Sequence, residues 1–204
     1  MTTAKVRAQY HHGDLERSLL LTARKLVRKS GAEHLSLRQV AQEIGVSPSA
    51  AYHYFPDRDS LLNALGESLF EELADHQERE LNNVPGSGMR AAKERFRTLG
   101  RTYYEWARNE PHFFNLMFSE FCVIHASKAN QKTKEETRAF GNLSKCLDDL
   151  LAVGALEPKM RPYGELLSWS IVHGVTSLIT VGHLEPDYFE TVMDGLEISL
   201  GIKK

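Results

Sequence analysis

The stretch of residues 36–55, SLRQVAQEIGVSPSAAYHYF, constrains the fold most because its pattern predicts two short helices joined by a tight turn. Ser36 and Gln39 have the spacing of a capping box, which satisfies free backbone donors at a helix start. Gly45 ends this first helix, because glycine readily takes the left-handed conformation of helix ends. The pair Ser47–Pro48 then starts a second helix at once, with proline at the first helical position.

This arrangement has two interpretations, an ordinary helical hairpin or the helix-turn-helix that places a recognition helix in the major groove of DNA. The composition of the second helix distinguishes the two interpretations. Tyr52, His53 and Tyr54 are consecutive, and at 100° per residue at least two of their side chains must face outward. Outward rings beside the small Ser49 and Ala50 suit close approach to a base edge or a phosphate, which favours the DNA-binding interpretation.

Charge is distributed unevenly along the chain, although its formal net charge is only −2. Residues 1–55 hold eight Lys and Arg against four Asp and Glu, a net of +4, so the remainder carries −6. A basic N-terminal part on an acidic remainder predicts that nucleic acid is contacted by the N-terminal part.

The sequence resembles a known family over the segments YHHGDL, SLRQVAQEIGVS and AAYHYFPDRDSLL, which lie between Tyr10 and Leu62. These segments are similar to the DNA-binding domain of TetR-family transcriptional regulators. Farther on, PHFFNLMF and the set Trp169, His173, Gly174 resemble a subgroup whose ligand-domain motif is Trp, His, Gly. The resemblance implies a homodimeric DNA-binding regulator, commonly a repressor, whose C-terminal domain binds a small molecule.

Specific DNA contacts follow from this resemblance, residue by residue. Arg38 would contact a base or a phosphate, and Arg58, just beyond the motif, would anchor a phosphate. The groove-facing set would be Ser47, Ser49, Ala50, Tyr52, His53 and Tyr54. Ala50 offers only an apolar contact, as to a thymine methyl group, so we expect specificity to depend on Arg38 and on DNA shape.

Composition and pattern predict an all-α protein that is soluble and cytoplasmic. Hydrophobic residues make up 42% and charged residues 25%, and no strand-period alternation appears. We find no secretory signal, and the most apolar stretch, residues 166–181, is interrupted by polar residues. We expect a helix-turn-helix domain at residues 1–56, joined by a long helix to a helical ligand-binding and dimerisation domain at 57–204.

The last two helices, predicted at residues 163–182 and from Pro186 to Gly201, are apolar on more than one side. One side can pack on the rest of the domain, and the other then needs a partner. Pairing with the same helices of a second copy would give a two-fold four-helix interface. The alternative is a thick core within one chain.

Ligand-pocket candidates come from an aromatic segment after Pro111 and from the Trp-His-Gly set. They are Trp106, Phe113, Phe114, Met117, Phe118, Phe121, Trp169 and His173. Each such residue is more often simply part of a core. Cys122, His125, His112 and His173 could also gather around a metal or haem, but Cys-x-x-His alone is a weak signal, and we predict no metal and no cofactor. The two cysteines, Cys122 and Cys146, fit a reducing compartment, with a redox pair as the alternative.

Two other functions compete with a ligand-responsive regulator. An enzyme is disfavoured because no nucleophile-elbow, zincin, kinase or Walker motif is present. A helix-turn-helix protein that binds DNA without any small-molecule ligand stays open.

Overall fold

The computed structural model describes residues 12–120 and 138–203, with side chains from residue 15 onward. All regular structure in these ranges is helical, which confirms the predicted all-α class. In chain order the helices are α1 (His12–Ser30), α2 (Leu37–Glu43), α3 (Pro48–Tyr54), α4 (Arg58–Asn82), α5 (Gly88–Asn109), α6 (Pro111–Met117), α7 (Arg138–Ala152), a 3₁₀ helix (Pro158–Tyr163), α8 (Gly164–Thr180) and α9 (Tyr188–Ser199). None of the helices described here is both long and apolar enough to cross a lipid bilayer.

Two compact units divide the chain. Among the described residues, the first unit, the head, comprises residues 12–67 and 115–120, and the second, the body, comprises residues 68–114 and 138–203. Both α4 and α6 pass from one unit into the other. The domain boundary predicted after residue 56 stays a prediction.

The head folds as the capping pattern predicts. The hydroxyl oxygen of Ser36 accepts a hydrogen bond from the Gln39 amide at 3.1 Å, and that of Ser47 accepts one from the Ala50 amide at 3.2 Å. Gly45 has a φ of +75°, which side chains other than glycine rarely adopt. The apolar faces of α1, α2, α3 and the first turns of α4 close over one core. Its members include Leu15, Leu19, Ala23, Val27, Leu37, Val40, Ala41, Ala51, Phe55, Leu61 and Leu62.

The body has a separate core formed by α5, α7, α8 and α9. It includes Ala92, Phe96, Leu99, Leu147, Leu150, Val172, Val175, Ile179, Phe189, Met193 and Leu196. Helices α5 and α9 approach closely at Gly100, where an added Cβ would lie 3.0 Å from Cε of Met193. Only a residue without a side chain fits there while Met193 keeps its position.

Ion pairs also join α5 to α9 at the surface of the body. Arg97 donates from Nε to Glu197 at 2.6 Å and also pairs with Asp194. Arg101 donates from Nε to Glu190 at 2.7 Å. The hydrogen bond from Arg101 lowers the pKa of the Glu190 carboxyl below its ordinary value. These contacts fix α9 along α5.

Candidate nucleic-acid interface and aromatic cluster

The outer side of α3 presents aromatic and hydrogen-bonding tips to solvent. Tyr52 is 42% exposed, His53 is exposed and Tyr54 is half-buried. Ala51, on the opposite side of the same helix, is fully buried. The rings of His53 and Tyr54 meet edge to face, with centroids 5.5 Å apart. At least two of these three consecutive side chains face outward, as the helix geometry required.

The remaining predicted DNA contacts on α2 and α3 also lie at the surface. Arg38, Ser47 and Ser49 are exposed, and Ala50 is half-buried. The Ser47 hydroxyl is engaged as the cap of α3, but its second lone pair and its proton remain for another partner. A guanidinium at the start of α2, hydroxyl groups at the start of α3 and the aromatic tips of α3 can bind phosphate oxygens and base edges.

Arg58 has contacts that the sequence did not predict. Its Nε donates to the carbonyl oxygen of Leu35 at 2.9 Å, and its Nη2 donates to that of Ala32 at 2.7 Å and of Glu33 at 3.3 Å. The side chain therefore joins the start of α4 to the segment that connects α1 and α2. Arg58 holds the head together, and its role as a phosphate anchor stays a prediction.

The predicted pocket residues differ in how much surface they retain. Fully or nearly fully buried are Trp106, Phe113, Phe114 and Met117, whereas Phe118, Trp169 and His173 are half-buried. Phe121 lies outside the described residues. Met117 and Phe118 belong to the head by position, and the other described candidates belong to the body.

Four rings of the body form an aromatic cluster, which we define as Tyr103, Phe114, Trp169 and His173. The His173 ring is central: its centroid lies 5.4 Å from Phe114, 5.8 Å from Trp169 and 6.3 Å from Tyr103. Tyr103 and Phe114 meet edge to face at 5.9 Å. Three helices, α5, α6 and α8, thus contribute to one aromatic surface.

Hydrogen bonds run through this aromatic cluster. The Tyr103 hydroxyl lies 2.7 Å from Nδ1 of His173, and the Ser177 hydroxyl lies 3.4 Å from Nε2 of the same ring. Burial raises the pKa of Tyr103 well above its ordinary value, so its hydroxyl stays protonated and can donate to Nδ1. The cluster therefore combines apolar ring faces with hydrogen-bonding side chains.

Tyr103 and Ser177 were missed as site residues by sequence reasoning. Tyr103 follows Phe96 and Leu99 on the apolar stripe of α5, so its position indicated only a core residue. Its hydrogen-bonding partner His173 is 70 residues away in sequence. No local pattern encodes such a contact.

Among the residues that the structure describes, no three or more His, Cys, Asp or Glu side chains lie close enough together to hold a metal ion. Cys122 and His125 lie outside the described residues, and His112 is exposed. Cys146 is buried, which raises the pKa of its thiol to about 12. A thiol so protected is unreactive at neutral pH.

Family models match the chain in both units. Residues 19–65 match the model described as bacterial regulatory proteins, tetR family. Residues 96–197, half of the chain, match the model described as tetracyclin repressor-like, C-terminal domain. The first match contains α2, α3 and Arg58, and the second contains the aromatic cluster and most of α9.

Individual proteins agree with these matches. The HTH-type transcriptional regulator Rv1816 of Mycobacterium tuberculosis is 27% identical over 127 residues, which cover 62% of this chain but only about half, 53%, of the relative. A structure of a Rhodococcus sp. RHA1 protein of unknown function superposes with a TM-score of 0.75 at 26% identity, covering 96% of this chain and 100% of that one.

A TetR family transcription regulator from Marinobacter aquaeolei VT8 has the same fold. It superposes with a TM-score of 0.66 at 19% identity, covering 92% of this chain and 96% of that one. The helix-turn-helix of the head, the helical body and the two family models together lead to one conclusion: the chain belongs to the TetR family of bacterial regulatory proteins.

Proposed function

We propose that this protein is a homodimeric, sequence-specific DNA-binding transcriptional regulator, a repressor that a small apolar or aromatic ligand releases from its operator. The observation that carries the proposal is the outer side of α3. Tyr52 and His53 present their tips to solvent there, on a helix that Ser47 caps and that follows α2 in helix-turn-helix spacing. Exposed apolar ring surface is unfavourable in water unless a partner covers it, and base edges or phosphates can hydrogen-bond the polar tips of these side chains.

Dimerisation is supported by apolar side chains on the outer faces of α8 and α9. Ile198 is 75% exposed and Leu166 65%, and Val181, directly after α8, is 61% exposed. Leu178 and Tyr188 are also exposed large apolar residues on these helices. In an isolated chain this surface would be an association liability, whereas pairing with a second copy would bury it. Two heads held at a fixed spacing would read two half-sites of one operator.

Glycines on the same faces support a close approach between copies. At Gly174 in α8 and Gly195 in α9, an added Cβ would meet nothing within 4 Å. Glycine inside a helix destabilises it by about 1 kcal/mol relative to alanine, and no contact in the described chain requires it at these positions. At Gly100, by contrast, an added Cβ would lie 3.0 Å from Cε of Met193 within the chain. We interpret Gly174 and Gly195 as contact points for the partner's helices.

Ligand control is supported by the aromatic cluster. Tyr103, Trp169 and His173 retain partial exposure although they lie on helices of the body core. Trp169 and His173 also occupy the first two positions of the Trp-His-Gly set, and we assign the chain to the subgroup with that motif. A ligand that binds one arrangement of the cluster better than another would shift the population of DNA-binding dimers.

Selection of duplexes from a random pool with the purified chain tests the proposal. We expect an enriched site made of two inverted half-sites. Arg38→Ala should reduce affinity for that site to the level of unrelated duplex without lowering the melting temperature, because Arg38 is exposed. Lys145→Ala, which removes one exposed charge from the body, is the matched control and should keep specific binding. Unchanged affinity in Arg38→Ala would refute its assignment, and failure to enrich any site would refute the function.

A further inference from the structure

We infer that Arg138 fixes the second half of α4 on the start of α7 and thereby determines which half-site spacing the dimer accepts. This inference rests on the proposed function, because it concerns how the same dimer selects its operator. It starts from α4, a continuous helix of 25 residues that passes from the head into the body. A helix of this length is about 37 Å long, and its two halves move together unless it bends.

Arg138, the first residue of α7, pairs with three carboxylates of α4. Its Nη1 donates to Glu71 at 3.0 Å and lies 2.9 Å from Oδ1 of Asp75, and its Nη2 donates to both carboxylate oxygens of Glu78 at 2.8 Å. These acids recur at i, i+4 and i+7, so they form one acidic stripe along α4. We call the ion pairs of Arg138 with this acidic stripe the Arg138 clasp. All of its members belong to the body.

The acidic stripe by itself is unfavourable for the helix that carries it. Like charges three and four residues apart destabilise a helix. Glu78 also lies one turn before the C-terminal end of α4, where the helix dipole disfavours negative charge. A single exposed ion pair contributes little, but one guanidinium shared by three carboxylates offsets their mutual repulsion as well. The charge balance of α4 therefore depends on its position relative to α7.

A buried amide pair lies beside the Arg138 clasp. Nδ2 of Asn142 donates to Oε1 of Gln77 at 3.2 Å, and the Gln77 side chain is buried. Asn142 follows Arg138 by four residues on α7, and Gln77 directly precedes Glu78 on α4. Hydrogen bonds are directional, whereas apolar contacts are not. The clasp and the amide pair are therefore satisfied together in one register of α4 on α7.

Restriction of α4 has a consequence for DNA binding. In the proposed dimer each α4 leads to one head, so restricting α4 restricts the separations that the two heads adopt. Loss of the clasp would broaden this range, and DNA sites with other half-site spacings would then be bound with a smaller penalty. This discrimination is a ratio of two affinities of the same protein, so a general loss of positive charge cancels from it.

Duplexes of altered spacing provide the test. The full-length chain would be titrated with the selected duplex and with duplexes that carry one or two additional base pairs between the half-sites. We expect Arg138→Gln to lower the preference for the selected duplex by about threefold, an effect of the size that an exposed ion-pair network supplies. Arg101→Gln removes the same charge from an ion pair between α5 and α9, so it is the matched control and should keep the preference.

Hydrogen exchange reports on α4 directly. Peptides covering residues 71–82 should exchange faster in Arg138→Gln than in the unaltered chain, because this part of the helix loses its contacts with α7. The same peptides should be unchanged in Arg101→Gln. This readout requires no DNA and no effector.

A background without the acidic stripe shows whether the effect passes through α4. The variant Glu71→Gln/Asp75→Asn/Glu78→Gln cannot form the clasp, so it should itself have the lower spacing preference. Adding Arg138→Gln to it should change neither the preference nor the exchange of α4. A structural role of Arg138 that does not involve α4 would persist in this background.

The inference is overturned if Arg138→Gln keeps the spacing preference or the slow exchange of α4, if the control loses them equally, or if Arg138→Gln acts as strongly in the neutral background. Selection of a duplex by the unaltered chain comes first and keeps the two failures apart. If no duplex is enriched, the proposed function and this inference both fail. A chain that enriches inverted half-sites but whose Arg138→Gln variant discriminates spacing equally well is the proposed regulator without the clasp.

Discussion

The head and the body differ in which side chains they expose to solvent and which they bury. In the head, the apolar stripes of α1, α2 and α3 are buried, and the outer side of α3 presents polar and aromatic tips such as Tyr52 and His53. In the body, the outer faces of α8 and α9 expose Leu166 and Ile198, while hydroxyl groups such as that of Thr176 are buried.

This difference indicates different partners. Hydrogen-bonding tips on a short capped helix suit a polyanionic duplex. Exposed aliphatic residues beside glycines suit a second copy of the same helices, and the half-buried rings of the aromatic cluster suit a small molecule. On the proposed function, the head reads DNA while the body assembles the dimer and binds the effector, so head variants should change DNA contact directly and body variants should change it only through the assembly and geometry of the dimer.

The largest effect is expected from Ile198→Glu on the outer face of α9. A charge at this exposed position should leave the chain folded, but in the proposed dimer it would be buried without a partner. We expect a monomer by light scattering and an operator affinity lowered by about 100-fold or more, since one head then binds alone.

Asn109→Glu, on an exposed position at the end of α5, is the control and should stay dimeric. A dimeric Ile198→Glu protein with full operator affinity would show that these copies pair elsewhere.

Arg58 distinguishes folding from DNA contact within the head. Arg58→Lys keeps the charge but removes the planar guanidinium group, whose Nε and Nη2 donate to three carbonyl oxygens. We expect it to lower the free energy of unfolding by about 1 kcal/mol in urea titrations, because the part-buried carbonyl oxygens of Leu35 and Ala32 lose a charged donor. Operator binding by the folded fraction should change little. Full stability combined with weakened DNA binding would instead identify Arg58 as a phosphate anchor.

A smaller effect is expected in acid, and it belongs to the body. The pKa of Glu190 is lowered chiefly by the hydrogen bond from Arg101, so this carboxylate stabilises the folded state above its unfolded pKa, and the contribution is lost as pH falls through the lower folded pKa. Arg101→Gln should therefore reduce the loss of unfolding free energy below about pH 4.5. The reduction should be no larger than about 1 kcal/mol, since the pair is solvent-exposed, and it is followed by urea titrations at several pH values. An unchanged pH profile would contradict the assignment.

The smallest effect is expected at Cys146. With a pKa raised to about 12 by burial, its thiol stays protonated at pH 8, and the reactive thiolate is scarce. Mass spectrometry of peptides after iodoacetamide treatment should find Cys146 unmodified in the native protein and modified in urea. Rapid labelling of native Cys146 would show that this part of the body opens readily.

The predictable parts of the molecule are those with local causes. The caps at Ser36 and Ser47 and the glycine turn at Gly45 each depend on residues within four positions. Both serine hydroxyls cap their helices and Gly45 has a positive φ, as predicted, while the return bond from the Gln39 side chain that would complete the capping box stays a prediction. The contacts of Arg58 with the α1–α2 connection and of Tyr103 with His173 join distant segments. They depend on how helices pack, which no periodicity in the sequence specifies.

Among the ligand-pocket candidates, periodicity found the aromatic segment but could not separate core from accessible residues. Phe113 and Met117 are fully buried, whereas Trp169 and His173 keep some surface. On a helix that is apolar nearly all round, hydrophobicity does not identify the side that faces a core.

The mass of the protein–DNA complex, measured by light scattering on the selected duplex at low ionic strength, tests the central claim most directly. We predict two chains per duplex, with a footprint of two inverted half-sites. One chain per duplex, or no duplex retained, would contradict the account.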